Sequence, residues 1–183
     1  PRMQMYLWDA APGGSTLNID GSLAGGYPAV AANFGDPIPE GSPIIGQLSL
    51  AIDDDQSASE DPYDACDTLL NGPDLSGNIA VIRRGECQFG FKILSAQSQG
   101  AIAVIIINNV PDAPIIMAPG DVGDQVTIPS VMISQEDGDA IIAALLAGED
   151  IEGSLSNDIQ YQLDGDLDNG IVAHEYGHGI SKR

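Results

Sequence analysis

The sequence predicts an α+β fold built around a β-α-β unit, and three observations within residues 78–109 predict it. Ile79, Ala80, Val81 and Ile82 form an apolar, β-type run, and residues 101–107 form a seven-residue run, AIAVIII, rich in β-branched side chains. Neither run alternates with polar residues, so both are expected to be strands covered on both faces. Between them Phe89, Lys92, Ile93, Ala96 and Gln97 recur at helical spacing, with Gly100 where a C′ glycine would end the helix. The crossover rule makes such a unit right-handed.

The other elements follow in chain order. Met3, Met5 and Leu7 alternate with Gln4, Tyr6 and Trp8, which predicts one strand. Residues 9–43 are rich in Gly, Pro and Ala and are expected to be irregular with short strands. Residues 44–52 form the next predicted strand. Residues 53–67 carry Asp53, Asp54, Asp55, Glu60, Asp61, Asp64 and Asp67 and are expected to be a solvated acidic loop; their oxygens also make the stretch a candidate for a hard cation such as Ca²⁺. Residues 109–124, with Pro111, Pro114 and Pro119, are predicted to loop over one edge of the sheet. Ser134 opens a capping-box-like Ser-Gln-Glu-Asp start to a helix reaching about Ala147 and ended by Gly148. Residues 151–163 are expected to form a final strand pair.

Composition bounds the function. The chain has 183 residues, enough for one full core and hardly two. Its 43% apolar content marks a globular protein. Acidic residues number 27 against 6 basic ones, and no Lys or Arg occurs between Arg2 and Arg83. Such a surface repels phosphate backbones and anionic lipid, which disfavours nucleic acid and membranes as partners. No apolar run approaches a membrane span. No signal peptide is visible in the start PRMQMYLW, and the chain is expected to be a piece of something longer. Cys66 and Cys87 are the only cysteines. They are either two buried thiols or a disulfide closing roughly 22 residues and contributing about 3 kcal/mol; a disulfide would place maturation outside the cytosol.

Candidate chemistry sits at the C-terminus, DGDLDNGIVAHEYGHGISKR. His174 and His178 are four residues apart, about 40° apart around a helix axis, and can reach one tetrahedral Zn²⁺. Glu175 beside them can act as general base without being a ligand. The longer HExxHxxGxxH arrangement is not met, since Ser181 stands at its glycine. The same segment also resembles a partial EF-hand loop, with Asp164, Asp166 and Asp168 at the first three ligand positions and Glu175 at the twelfth, although Asn169 stands where the turn glycine belongs. Calcium is therefore a second candidate cofactor. Ser95, Ser98 and Ser134 have no histidine partner, and Arg83 and Arg84 are expected to make structural contacts.

Two resemblances join these readings. The run IAVIRRGECQFGFKILSAQSQGAIAVIIINN, with IPSVMISQEDGDAI at residues 128–141, resembles the protease-associated (PA) domain, an interaction or lid-like module of secreted peptidases and sorting receptors. The motifs that carry it are Arg83-Arg84-Gly85, Cys87, Gly100-Ala101 and Ile128-Pro129. The resemblance implies a β-sandwich or open barrel with two or more helices, covering about residues 43–161, and it supports a Cys66–Cys87 disulfide. GDLDNGIVAHEYGHGISKR in turn is similar to the active-site helix of the fungalysin metallopeptidases, and RMQMYLW to the strand before it. That implies a PA domain over residues 10–163, inserted between a strand at 1–9 and a truncated zincin helix at 164–183. His174 and His178 would be zinc ligands and Glu175 the base. The third ligand of that family lies beyond residue 183, so this stretch alone is expected to be inactive. The expected whole is a secreted zinc endopeptidase, with the PA domain recruiting or gating a polypeptide substrate or contacting the rest of the peptidase. The alternatives are a stand-alone protein-binding module and a calcium-binding acidic module.

Overall fold

The computed structural model describes residues 14–56 and 59–157. Seven strands form a closed barrel: β1 (Ser15–Ile19), β2 (Gly25–Ala31), β3 (Ile44–Leu50), β4 (Ile79–Arg83), β5 (Ala103–Ile107), β6 (Ser130–Ile133) and β7 (Glu152–Asn157), in the spatial order β1-β2-β6-β5-β4-β3-β7. Among the described residues three α-helices accompany them, α1 (Gly72–Leu75), α2 (Phe89–Ser98) and α3 (Gln135–Leu146).

The β-α-β expectation holds. β4 and β5 pair in parallel, Val81 beside Ile105, with α2 between them in the chain. β3 joins β4 and β6 joins β5, also in parallel. Both faces of these strands are covered, which explains why their sequences do not alternate. Val81, Ile105, Val131 and Ile133 point into the barrel with Leu17, Leu48 and Leu155. Ala80, Ile82, Val104, Ile106 and Met132 point the other way, onto Ile93 and Ala96 of α2.

Both longer helices end as the glycines predict. Gly100 (φ +91°) lets its N–H reach Gln97 O at 2.9 Å and Ala101 N–H reach Ala96 O at 3.2 Å, the paired bonds of a Schellman motif. Gly148 (φ +82°) does the same for α3, with Glu149 N–H on Ala144 O at 3.1 Å. At the start of α3, Ser134 Oγ accepts the Asp137 N–H at 3.1 Å. α3 closes onto the barrel: Ile141 and Ile142 join the inner core, and a Cβ added at Gly138 would lie 2.2 Å from Ile107.

Three further expectations meet the structure with different outcomes. The barrel is closed rather than open or a sandwich, because β7 pairs with both β1 and β3 and leaves neither edge free. The Gly- and Pro-rich stretch yields a regular hairpin of β1 and β2 that supplies part of the wall. Pro28 sits where β2 pairs with β1 alone, before Val30 and Ala31 turn to β6; a one-sided stretch tolerates a residue without an N–H. Residues 151–157 give one strand, β7, and the rest of the expected strand pair lies outside the described residues, as does the strand expected at residues 3–8.

Candidate functional site

Three segments meet at the C-terminal ends of β4 and β5: the acidic loop after β3, the turn 84–88 between β4 and α2, and Asn108-Asn109 after β5. Together they line a cleft of about 420 Å³ whose walls include Glu60, Asp61, Asp64, Arg84, Glu86 and Asn109.

The acidic loop is only in part the solvated coat that its charge suggests: Asp55 and Glu60 are exposed, but two of its carboxylates are not. Asp53 and Asp64 are buried, at 3% and 0% exposure. The backbone folds the loop onto the barrel, with Asp53 N–H on Pro62 O at 2.9 Å, Leu70 N–H on Ile52 O at 2.7 Å and Arg83 N–H on Tyr63 O at 2.8 Å. Asp64 is the hub. Its Oδ1 accepts the Cys66 N–H at 2.9 Å, its Oδ2 accepts the Ser59 hydroxyl, and Lys92 Nζ lies 3.6 Å from Oδ2. Gly85 packs directly on this carboxylate, since a Cβ there would stand 2.2 Å from Asp64 Oδ2. Glycine is thus the residue that the close approach requires.

Lys92 is fully buried on α2. Its ammonium donates to Asp64 O and to Cys66 Sγ, the latter at 3.0 Å. Desolvation holds its pKa below the usual lysine value, against the opposing pull of Asp64. Burial likewise raises the pKa of Asp53, reinforced by the Asp64 and Asp67 carboxylates and opposed by the Asp67 N–H, which donates to Oδ2 at 3.3 Å. Asp53 Oδ1 has no hydrogen-bond partner.

A Cys66–Cys87 disulfide ties loop to turn, with Cα atoms 5.6 Å apart. The arginine pair makes the structural contacts expected of it. Arg83 bridges Asp61 at 3.4 Å and Asp139 at 3.0 Å, while Arg84 donates to Asn108 Oδ1 at 2.9 Å and lies over the Phe89 ring at 5.9 Å. The cleft therefore offers one fixed guanidinium among the carboxylates of Glu60, Asp61 and Glu86. Beyond Asn109 the loop exposes Val110, Ile115 and Ile116.

This arrangement can bind, and its Ser59 hydroxyl is held by the Asp64 carboxylate that also pairs with Lys92. Both histidines of the chain fall outside the described residues, both cysteines form the disulfide, Ser98 Oγ donates to Leu94 O, and Ser134 caps α3. Among the described residues no group of three or more His, Cys, Asp or Glu could hold a metal ion. In the acidic loop Asp64 is committed to Lys92. His174, Glu175, His178, Asp164, Asp166 and Asp168 all lie outside the described residues.

Sequence reasoning missed Lys92, Asp64 and Asn108 as parts of one assembly. The signal for Lys92 was present, since a lysine occupies a core-facing position in the Phe89, Ile93, Ala96 series of a chain with few cations.

Comparisons with known proteins agree with the fold. The PA domain family profile matches residues 44–141. A solved aminopeptidase from Aneurinibacillus sp. strain AM-1 superposes with a TM-score of 0.57 at 30% identity, over 80% of this chain and 31% of that one. BSAP, a zinc aminopeptidase from Bacillus subtilis, gives 0.55 at 26% identity, with the same coverage of 80% and 31%. The Xenopus laevis ER degradation-enhancing alpha-mannosidase-like protein 3 is 33% identical over 107 residues, 55% of this chain and 12% of the relative. The chain thus spans less than a third of each of these proteins.

Proposed function

Because the chain belongs to the PA domain family, we propose that its barrel is the polypeptide-handling module of a secreted zinc-dependent peptidase. One observation carries the reading: the cleft at the ends of β4 and β5 presents a fixed guanidinium, a ring of carboxylates and an adjoining apolar loop, with no catalytic set among the described residues. Such a surface suits an extended chain, whose amides and mixed side chains need both hydrogen-bonding and apolar contacts. The peptidase context is supported by the two structurally similar aminopeptidases. Secretion is supported by the disulfide, which persists in oxidising compartments.

Within that reading, residues 10–163 form the interaction domain, inserted between a strand at 1–9 and a catalytic helix at 164–183. We assign His174 and His178 as zinc ligands and Glu175 as the base, on the sequence HEYGH and its likeness to fungalysins. Zinc supplies Lewis acidity when bound there. Glu175 takes the proton of the attacking water and returns it to the leaving amine. An endopeptidase specificity belongs to the same assignment.

A second reading, a binding module serving a protein that is not a peptidase, is favoured by the mannosidase-like relative. The two separate in the complete enzyme carrying Arg84→Ala. Loss of one charged hydrogen-bond donor, worth about 1.5 to 3 kcal/mol, predicts kcat/KM on an unfolded protein substrate falling at least tenfold, with a short peptide cleaved as before. Equal effects on both substrates, or none, would remove the cleft from substrate handling.

A further inference from the structure

The disulfide under the cleft is polarised. Cys66 Sγ accepts two hydrogen bonds, from Lys92 Nζ at 3.0 Å and from the Cys87 N–H at 3.1 Å, and no equivalent donor faces Cys87 Sγ among the described residues. A bonded sulfur is a weak acceptor, so an ammonium and an amide aimed at it gain most when it carries charge. Both cysteines are half-buried, and Gly85 and Glu86 beside Cys87 line the cleft.

We propose that Cys87 is an S-thiolation site for a low-molecular-weight thiol, with Cys66 as the leaving thiolate and Lys92 as the positioning residue that receives it. The external thiolate attacks Cys87 Sγ. A new S–S bond forms there as the Cys66–Cys87 bond breaks, and the electron pair departs on Cys66 Sγ. The products are a mixed disulfide on Cys87 and a thiolate paired with Lys92. A second thiol can then release Cys87 by the same exchange. The charged groups facing the new thiolate are Lys92 from α2 and Asp64 from the loop, with Asp53 and Asp61 also acting on Lys92. One cation stands within contact of the sulfur, and the Asp64 carboxylate is already held by Ser59 and the Cys66 N–H. Opening the bond unties the loop bearing Asp61 and Asp64 from the turn bearing Arg84, so the cleft becomes sensitive to thiols.

The test treats the folded chain with reduced glutathione, quenches with acid, alkylates free thiols and maps both cysteines by mass spectrometry. Glutathione on Cys87 with the alkyl group on Cys66 is expected. Glutathione on Cys66, equal labelling of both, or no adduct when the urea-unfolded chain reacts would overturn the proposal. In Cys87→Ser, thiolate absorbance at 240 nm is expected to titrate at least one pH unit below the free-thiol value of about 8.5. The further change Lys92→Met is expected to raise that midpoint by about one unit. An unshifted midpoint in Cys87→Ser contradicts the role of Lys92 even if the methionine variant does not fold.

Discussion

Lys92 and Asp64 concentrate the molecule's electrostatic stakes in one contact. Both side chains are fully buried, and each is the other's counter-ion. Removing one leaves the other charged in a dry site, which typically costs about 3 to 5 kcal/mol. Lys92→Met is therefore expected to lower the unfolding free energy by that much in urea, whereas a drop under 1 kcal/mol would mean that water reaches Asp64. Asp53 supplies the pH dependence. Its folded pKa is raised, so its favourable contribution is complete below the unfolded carboxylate range and is lost as pH rises through the folded value. Wild type should accordingly gain stability relative to Asp53→Asn between pH 7 and pH 4. A difference that does not change with pH would contradict the burial of this carboxylate. Of this the sequence showed only Lys92 standing in the core-facing series of α2. A run of acids reads as solvated by default, and the cation that buries Asp64 lies 28 residues further along the chain.

At the scale of elements the sequence was far more informative, for physical reasons. β4 and β5 are apolar on both faces because both faces meet a core, and Gly100 and Gly148 mark helix ends because only glycine takes their positive φ cheaply. Ser134 caps α3 by the same local chemistry that its spacing predicted. Barrel closure was hidden because β1, β2 and β7 read weakly one at a time, and their pairing is a long-range fact: Ser15 lies opposite Asn157. The seating of α3 was hidden too, although Gly138 marks it. Gly138→Ala would drive a methyl into Ile107, and overpacking of this kind costs about 1 to 3 kcal/mol. Thermal unfolding is expected to move down accordingly. A rise in Tm, as for an ordinary Gly to Ala change in a helix, would mean that α3 does not press on β5.

For the whole molecule, the fold explains a division of labour. A closed barrel has no free edge to recruit a strand, so on the proposed reading recognition falls to the loops at its rim. There the disulfide, the Lys92–Asp64 pair and Arg84 stacked on Phe89 hold the cleft in one shape. A preorganised rim lowers the ordering cost of binding an extended chain. The metal-site reading of residues 164–183 rests on sequence spacing.

On the proposed reading, the barrel handles polypeptides for chemistry done elsewhere. The most direct test of this is the ratio of kcat/KM for an unfolded protein to that for a short peptide, measured in the complete enzyme and in a version lacking residues 10–163. The account predicts that the deletion lowers the ratio at least tenfold with the short-peptide rate kept, and an unchanged ratio would contradict it.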